Sequence, residues 1–273
     1  MTTPPSDSDA APERLLPRFD LNQDFGTGAF RRRVRLRHRT GVVVGALDDN
    51  NHAMWVRLRH GEGAVTAIEG GFHRWPTTGC LGAVDVLQDI VGLRIGATRD
   101  VAGADGQARR HCTHLFDLAM LALAMARRAE GDRLWDAVVP DAIGGRTTAT
   151  ISLDGTVVHA WMLDGVMIMP AAGRPRQSLL SSFAPWARTH FRGDAFEGAT
   201  VLRMAAFTAR ARAHITDNHP WPLADFPERR DACHAYRAPQ VDSAEHRIGV
   251  VRNFSAGVIE ALLPGVTDGT GGQ

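Results

Sequence analysis

The chain has no lysine: all 31 basic residues are arginine, set against 30 acidic residues over a length of 273. Chemistries that need a lysine amine are therefore excluded, namely Schiff-base aldol cleavage, covalent pyridoxal-phosphate catalysis and P-loop nucleotide hydrolysis. The formal net charge is +1, which gives little drive for counterion release, so nucleic acid is not an expected partner. Cysteine is scarce and odd in number, at Cys80, Cys112 and Cys233, with no CxxC pair. A chain this long buries a sizeable core without disulfide or metal staples. No apolar run approaches the roughly 18 residues of a membrane span, and Met1 to Pro17 lacks the apolar core of a secretory leader. A reducing cytoplasm is the expected compartment.

What is present reads as an α+β protein in two halves behind a tail. Residues 1–18 are rich in Pro, Ser, Asp and Ala without apolar periodicity, and predict a mobile segment. Residues 19–130 form the first half. There Val34, Leu36 and His38 alternate with Arg33, Arg35 and Arg37, and Met54, Val56 and Leu58 alternate with Trp55, Arg57 and Arg59. With Val42 to Leu47 and Ala64 to Phe72 they predict an antiparallel sheet over residues 30–72, its outer face lined with arginine. Leu81 to Val91 has helical apolar spacing and puts Cys80 at a helix N-terminus. Leu115 to Ala126 is apolar all round, which predicts a buried central helix opened by His111-Cys112-Thr113-His114.

Residues 131–273 form the second half. A hairpin is expected over Thr147 to Leu163 about Asp154-Gly155, then a helix capped by Ser181 or Ser182 through His190, then one capped by Asp194 reaching about Arg212. Residues 217–240 read as an ordered irregular excursion.

Asp48, Asp49, His52, Cys80, His111, Cys112 and His114 are the set that could carry chemistry. Thiolates and imidazoles are the preferred ligands of zinc and other borderline metals, and a helix N-terminus favours a thiolate. The bland reading of the same residues is small buried cysteines beside hydrogen-bonded histidines.

The order HAMWVRLRH, AVTAIEG, TTGC ahead of a helix ending at Gly92, and HCTHLFDLAMLALAMA resembles the NifU-like and SufE-like iron–sulfur scaffold and sulfur-acceptor superfamily. That resemblance implies a strand meander, a cysteine opening one helix and a His-Cys pair opening the next. The scaffold's Cys-x-Asp falls on Asn50 and His52, ahead of Met54, so its first cysteine is lost here. What the resemblance then implies is one zinc or iron ion on His52, Cys80 and Cys112 with His111 or His114. The strings RWPTTGC, CTHLFDLA, VVHAWMLDG and HRIGVVRNFSAG also resemble a bacterial family with a Cys-Thr-His-Leu signature, which covers nearly the whole chain and implies no particular activity.

These readings lead to an expected small-molecule enzyme, a metal- or thiolate-dependent lyase or hydrolase acting on an anionic organic acid or acyl thioester, in a chain that could pair as a homodimer. Cys112, His114 and Asp48 are the expected catalytic groups, and His52, Cys80, His111 and Cys112 the expected metal ligands. Arg57, His159 and Trp161 are the expected substrate contacts. A sulfur or iron–sulfur carrier and a ligand-binding module are the alternatives. Glu197 sits where a carboxylate favours a helix dipole, and Cys233 and His234 could supply a further ligand or simply pack.

Overall fold

The computed structural model describes residues 19–169, 175–255, 257 and 259, so the expected tail lies outside the described residues. The strands are β1 (Asp20–Leu21), β2 (Ala29–Arg39), β3 (Val42–Asp49), β4 (Ala53–Gly61), β5 (Ala64–Arg74), β6 (Gly131–Pro140), β7 (Arg146–Leu153), β8 (Thr156–Asp164), β9 (Met167–Met169), β10 (Gln177–Ser178) and β11 (His214–Ile215). The helices are α1 (Arg99–Ala102), α2 (Thr113–Met125), α3 (Phe183–His190) and α4 (Gly193–Ala209). The mixture of helices with antiparallel sheet is the expected α+β class. Two compact units share the described residues: one contains Val34–Asp132 and Pro222–Glu245, the other contains residues 19–33, Arg133–Trp221 and residues 246–255. A linear division misses the return of Pro222–Glu245 to the earlier unit.

In the unit containing Val34–Asp132, the strand order is β2-β3-β4-β5. The two-residue link Thr40-Gly41 allows β2 and β3 to run only antiparallel, and β3 to β4 and β4 to β5 pair the same way. Val43 faces Leu58, Gly45 faces Val56 and Leu47 faces Met54. Period-2 alternation buries Val34, Leu36, Val43, Met54, Val56 and Leu58, and α2 packs on β3 and β4. Gly45 allows that close approach, since a Cβ there would come within 3.1–3.3 Å of Leu36, Leu118 and Val56. The β4–β5 turn has positive φ at Glu62 (51°) and Gly63 (76°), the twist-matched form of a two-residue hairpin. The stretch expected as a helix from Leu81 is a 3-10 run over Thr78–Ile90. It buries Cys80, Ala83, Leu87 and Ile90, and Leu87 sits where Gly70 of β5 has no side chain. Gly79 and Gly82 in its first turns weaken the α-helical alternative.

In the other unit the order is β10-β9-β8-β7-β6, and β1 pairs with β11. The β7–β8 hairpin turns on Asp154 (φ 49°) and Gly155 (φ 84°), as its Asp-Gly sequence predicts. β6 was not anticipated, although Trp135, Ala137 and Val139 alternate inward along it. α4 covers β7 and β8, burying Ala199, Leu202, Ala206 and Ala209. Neither expected cap forms: Ser182 precedes α3 in a left-handed conformation (φ 55°) without a side-chain bond, and Arg192 rather than Asp194 holds the cap position of α4. Arg32 departs from the arginine-lined outer face. It lies on the inward register of Phe30 and Val34, is 2% exposed, and donates to Thr208 Oγ1 at 3.3 Å.

A buried ion pair anchors this second unit. Asp141 accepts from Arg212 Nε and Nη2 at 2.7 and 3.0 Å and from the backbone N–H groups of Gly26 and Gly28 at 3.2 and 3.0 Å. Burial alone would raise the Asp141 carboxyl, but the Arg212 bonds and charge and the two amides outweigh it and hold the pKa below its ordinary 3.8. Its stabilisation is therefore present above the ordinary value and lost as pH falls through the depressed folded one. Asp141→Asn is expected to destabilise the protein by about 3–5 kcal/mol, because Arg212 is left as an uncompensated buried charge. Urea unfolding at neutral pH and again in acid checks this: the gap between wild type and variant should narrow as Asp141 protonates.

Candidate functional site

The β3–β4 connection is built around one carboxylate. Asp49 and Asn50 are wholly buried, and Asp49 Oδ1 accepts the backbone N–H of Asn51 (2.7 Å) and of His52 (2.8 Å). His52 Nδ1 lies 3.1 Å from the same oxygen and 3.4 Å from Oδ2. An anionic carboxylate can only accept, so Nδ1 carries the proton and Nε2 is the basic nitrogen of His52. Arg74, the last residue of β5, closes the loop from the other side. Its Nη2 donates to the Asp48 carboxylate, to Asp49 O (2.7 Å) and to His52 O (3.2 Å), and its Nη1 donates to Asn50 O (3.3 Å).

His114, in the first turn of α2, brings its ring to the other side of His52, with centroids 4.2 Å apart and planes 54° apart. His111 does not join them. It is buried against Phe116 (centroids 4.5 Å) with Nε2 3.7 Å from Asp89 Oδ2. Burial pushes its pKa down to about 4, helped by Arg110, Arg99 and His234 and opposed by Asp89.

Cys112 is the N-cap residue of α2, where the backbone N–H groups of Leu115 and His114 pull its pKa down. Burial nevertheless drives its thiol far above the ordinary value, and the negative charge that Cys80 and Cys233 could carry pushes it further. Its neighbours are thus two more sulfurs. Cys80 Sγ is 3.1 Å from Thr77 Oγ1, and Cys233 is raised by burial against the lowering of the Tyr236 and Ala235 N–H groups and Arg229. A neutral, buried thiol is a poor nucleophile, so helix N-terminal placement does not activate Cys112 as expected. Among the described residues, no three His, Cys, Asp or Glu side chains already stand in an arrangement that holds a metal ion.

The remaining expected site residues are placed elsewhere or already engaged. Asp48 is tied to Arg74, and burial raises its carboxyl in spite of that partner. Arg57 pairs with Glu69 at 3.5 Å, Arg33 with Asp136 at 2.6 Å, and Arg37 and Arg39 with Asp132 at 3.3 and 3.1 Å. Much of the arginine-lined face is thereby neutralised. His159 and Trp161 lie in the other unit, in an aromatic cluster with Phe183, Trp186 and Phe191. There His159 Nε2 donates to Ala195 O at 2.6 Å, which explains both residues as packing.

The sequence reading missed Arg74, which no motif marks, and undervalued Cys233 and His234. Their signal was the adjacent Cys-His pair, the reverse of His111-Cys112. In native protein at mildly alkaline pH, Cys80 and Cys112 are expected to resist iodoacetamide, and all three cysteines to react once denatured; peptide mass mapping checks this. Neither a family model nor a curated protein matches this chain, so the reading of the site rests on its own geometry.

Proposed function

We propose that the chain is a small-molecule enzyme of the lyase or hydrolase class that works by general acid–base catalysis, with His52 as base and His114 as acid. The observation that carries this reading is the His52 Nδ1 to Asp49 Oδ1 contact of 3.1 Å at a wholly buried carboxylate, with the His114 ring 4.2 Å from His52. Asp49 orients the imidazole, fixes its tautomer and stabilises the imidazolium formed when Nε2 takes a proton. Arg74 keeps the loop that carries both groups in place.

In a lyase cycle, Nε2 removes a proton made acidic by a neighbouring carbonyl. The freed electron pair forms the new double bond, and the leaving group departs with a proton from His114. A hydrolase cycle uses the same two groups to deprotonate water and protonate the leaving atom. Small organic acids and acyl thioesters offer such protons and leaving groups. The burial of Cys80 and Cys112, each 8% exposed, weighs against a sulfur-carrier role, which needs sulfurs that reach a partner.

The test is turnover across a panel of hydroxy acids, esters and acyl thioesters. Where wild type turns over a substrate, His52→Gln is expected to lower kcat by about 10²–10⁴-fold, the usual worth of a general base, and Asp49→Asn to lower it by at least about tenfold. Full activity in His52→Gln, or no turnover of any class by wild type, contradicts the reading.

A further inference from the structure

We propose that Cys80, Cys112, Cys233 and His234 bind one zinc ion, or another thiophilic divalent cation, at a closed structural site separate from the His52–His114 pair. His234 points to it most directly. Its Nδ1 lies 3.0 Å from the carbonyl oxygen of Arg110, a group that can only accept, so Nδ1 carries the proton and the lone pair is on Nε2. That Nε2 is buried in a residue 8% exposed and has no hydrogen-bond partner among the described residues. A buried lone pair left unsatisfied is costly, and an imidazole whose other nitrogen is pinned to a backbone carbonyl is the usual outer-shell arrangement of a metal-bound histidine. Nε2 faces the turn that carries Cys80: a Cβ on Gly82 would come within 2.9 Å of it.

The sulfurs gather from three stretches of chain. Cys80 and Cys233 both act electrostatically on Cys112, and both also act on Tyr236. The Pro222–Glu245 segment is tied to each of the other two stretches by backbone bonds. His234 N donates to His111 O at 3.0 Å beside Cys112, and Thr78 N donates to Glu245 O at 2.9 Å beside Cys80. Backbone amides lie where they favour the thiolate form of two of the sulfurs, those of Leu115 and His114 at Cys112 and those of Tyr236 and Ala235 at Cys233. Arg229 beside Cys233 offsets part of the negative charge that three thiolates leave around a dication.

Three sulfurs and one imidazole make a complete tetrahedral set for zinc, with no position left for substrate. The side chains do not yet converge, so binding closes them around the ion, and each thiol gives up its proton to solvent as its bond to the metal forms. An ion there fastens the Pro222–Glu245 segment to the first turns of both the 3-10 run and α2. It acts on stability rather than on the acid–base step.

The probe is cobalt(II) added to the reduced full-length chain, followed by zinc. A thiolate-to-cobalt charge-transfer band of three-sulfur intensity, with tetrahedral d–d bands, is expected at one equivalent and should vanish as zinc displaces cobalt. Cys233→Ser should lose about a third of the charge-transfer intensity, in proportion to the ligands, and His234→Gln should weaken binding by at least about tenfold, in line with the loss of an inner ligand. His52→Gln should leave the spectrum unchanged, which separates this site from the proposed catalytic pair. X-ray absorption at the zinc edge of the wild-type protein should return three sulfurs and one nitrogen, and stands even if a variant fails to fold. Absence of the band, a band unaltered in both Cys233→Ser and His234→Gln, or a coordination shell of oxygen and nitrogen overturns the proposal.

Discussion

The candidate site depends on a single buried carboxylate. Asp49 has no contact with solvent, and one of its oxygens takes two backbone N–H groups and an imidazole N–H. Those three donors do two things together: they fold the β3–β4 connection into one turn, and they fix which nitrogen of His52 is basic. Without the amides the carboxylate would face a large desolvation penalty, and without the carboxylate the ring would be free to choose its tautomer. Arg74 supplies the remaining constraint by holding four groups of the same loop from the end of β5. The sheet thereby presents an oriented imidazole at the point where α2 begins, and the His114 ring meets it there.

The same helix start shows how burial decides chemistry. Cys112 has the position that normally favours a thiolate, at the head of α2, where the Leu115 and His114 amides act to lower its pKa. Desolvation and the two neighbouring sulfurs reverse that preference, leaving a neutral thiol. The imidazoles of His52 and His114 therefore carry the proposed proton transfers, while the sulfurs suit a cation that would compensate their charge.

The first sheet was legible in the sequence because period-2 alternation and Gly-containing turns both act locally: Val34 to His38 and Met54 to Leu58 read correctly, as did the turn at Gly63. α2 read correctly because its apolar surface continues all round. The 3-10 form of Thr78–Ile90 did not, since the apolar spacing of Ala83, Leu87 and Ile90 is shared by both helix types and the choice is made by packing on β5. His52 was identified by residue type, but its partner Asp49 was one of several nearby polar residues until the turn geometry singled it out. His159 and Trp161 share a strand face as alternation requires, yet that face turns into an aromatic core. For Cys233 and His234 the adjacent Cys-His pair is visible in the sequence, but its place in the fold is not. They arrive at the first unit through a return of the chain that no local pattern encodes.

The central claim, that Asp49 holds His52 with Nε2 as its basic nitrogen, is tested most directly by long-range proton–nitrogen NMR of the His52 ring in wild type and in Asp49→Asn. The account requires wild-type His52 to be the Nδ1–H tautomer when neutral, and the variant to shift toward the Nε2–H form that dominates in free imidazole side chains. An Nε2–H ring in the wild type, or one whose tautomer ignores the loss of the carboxylate, would contradict it.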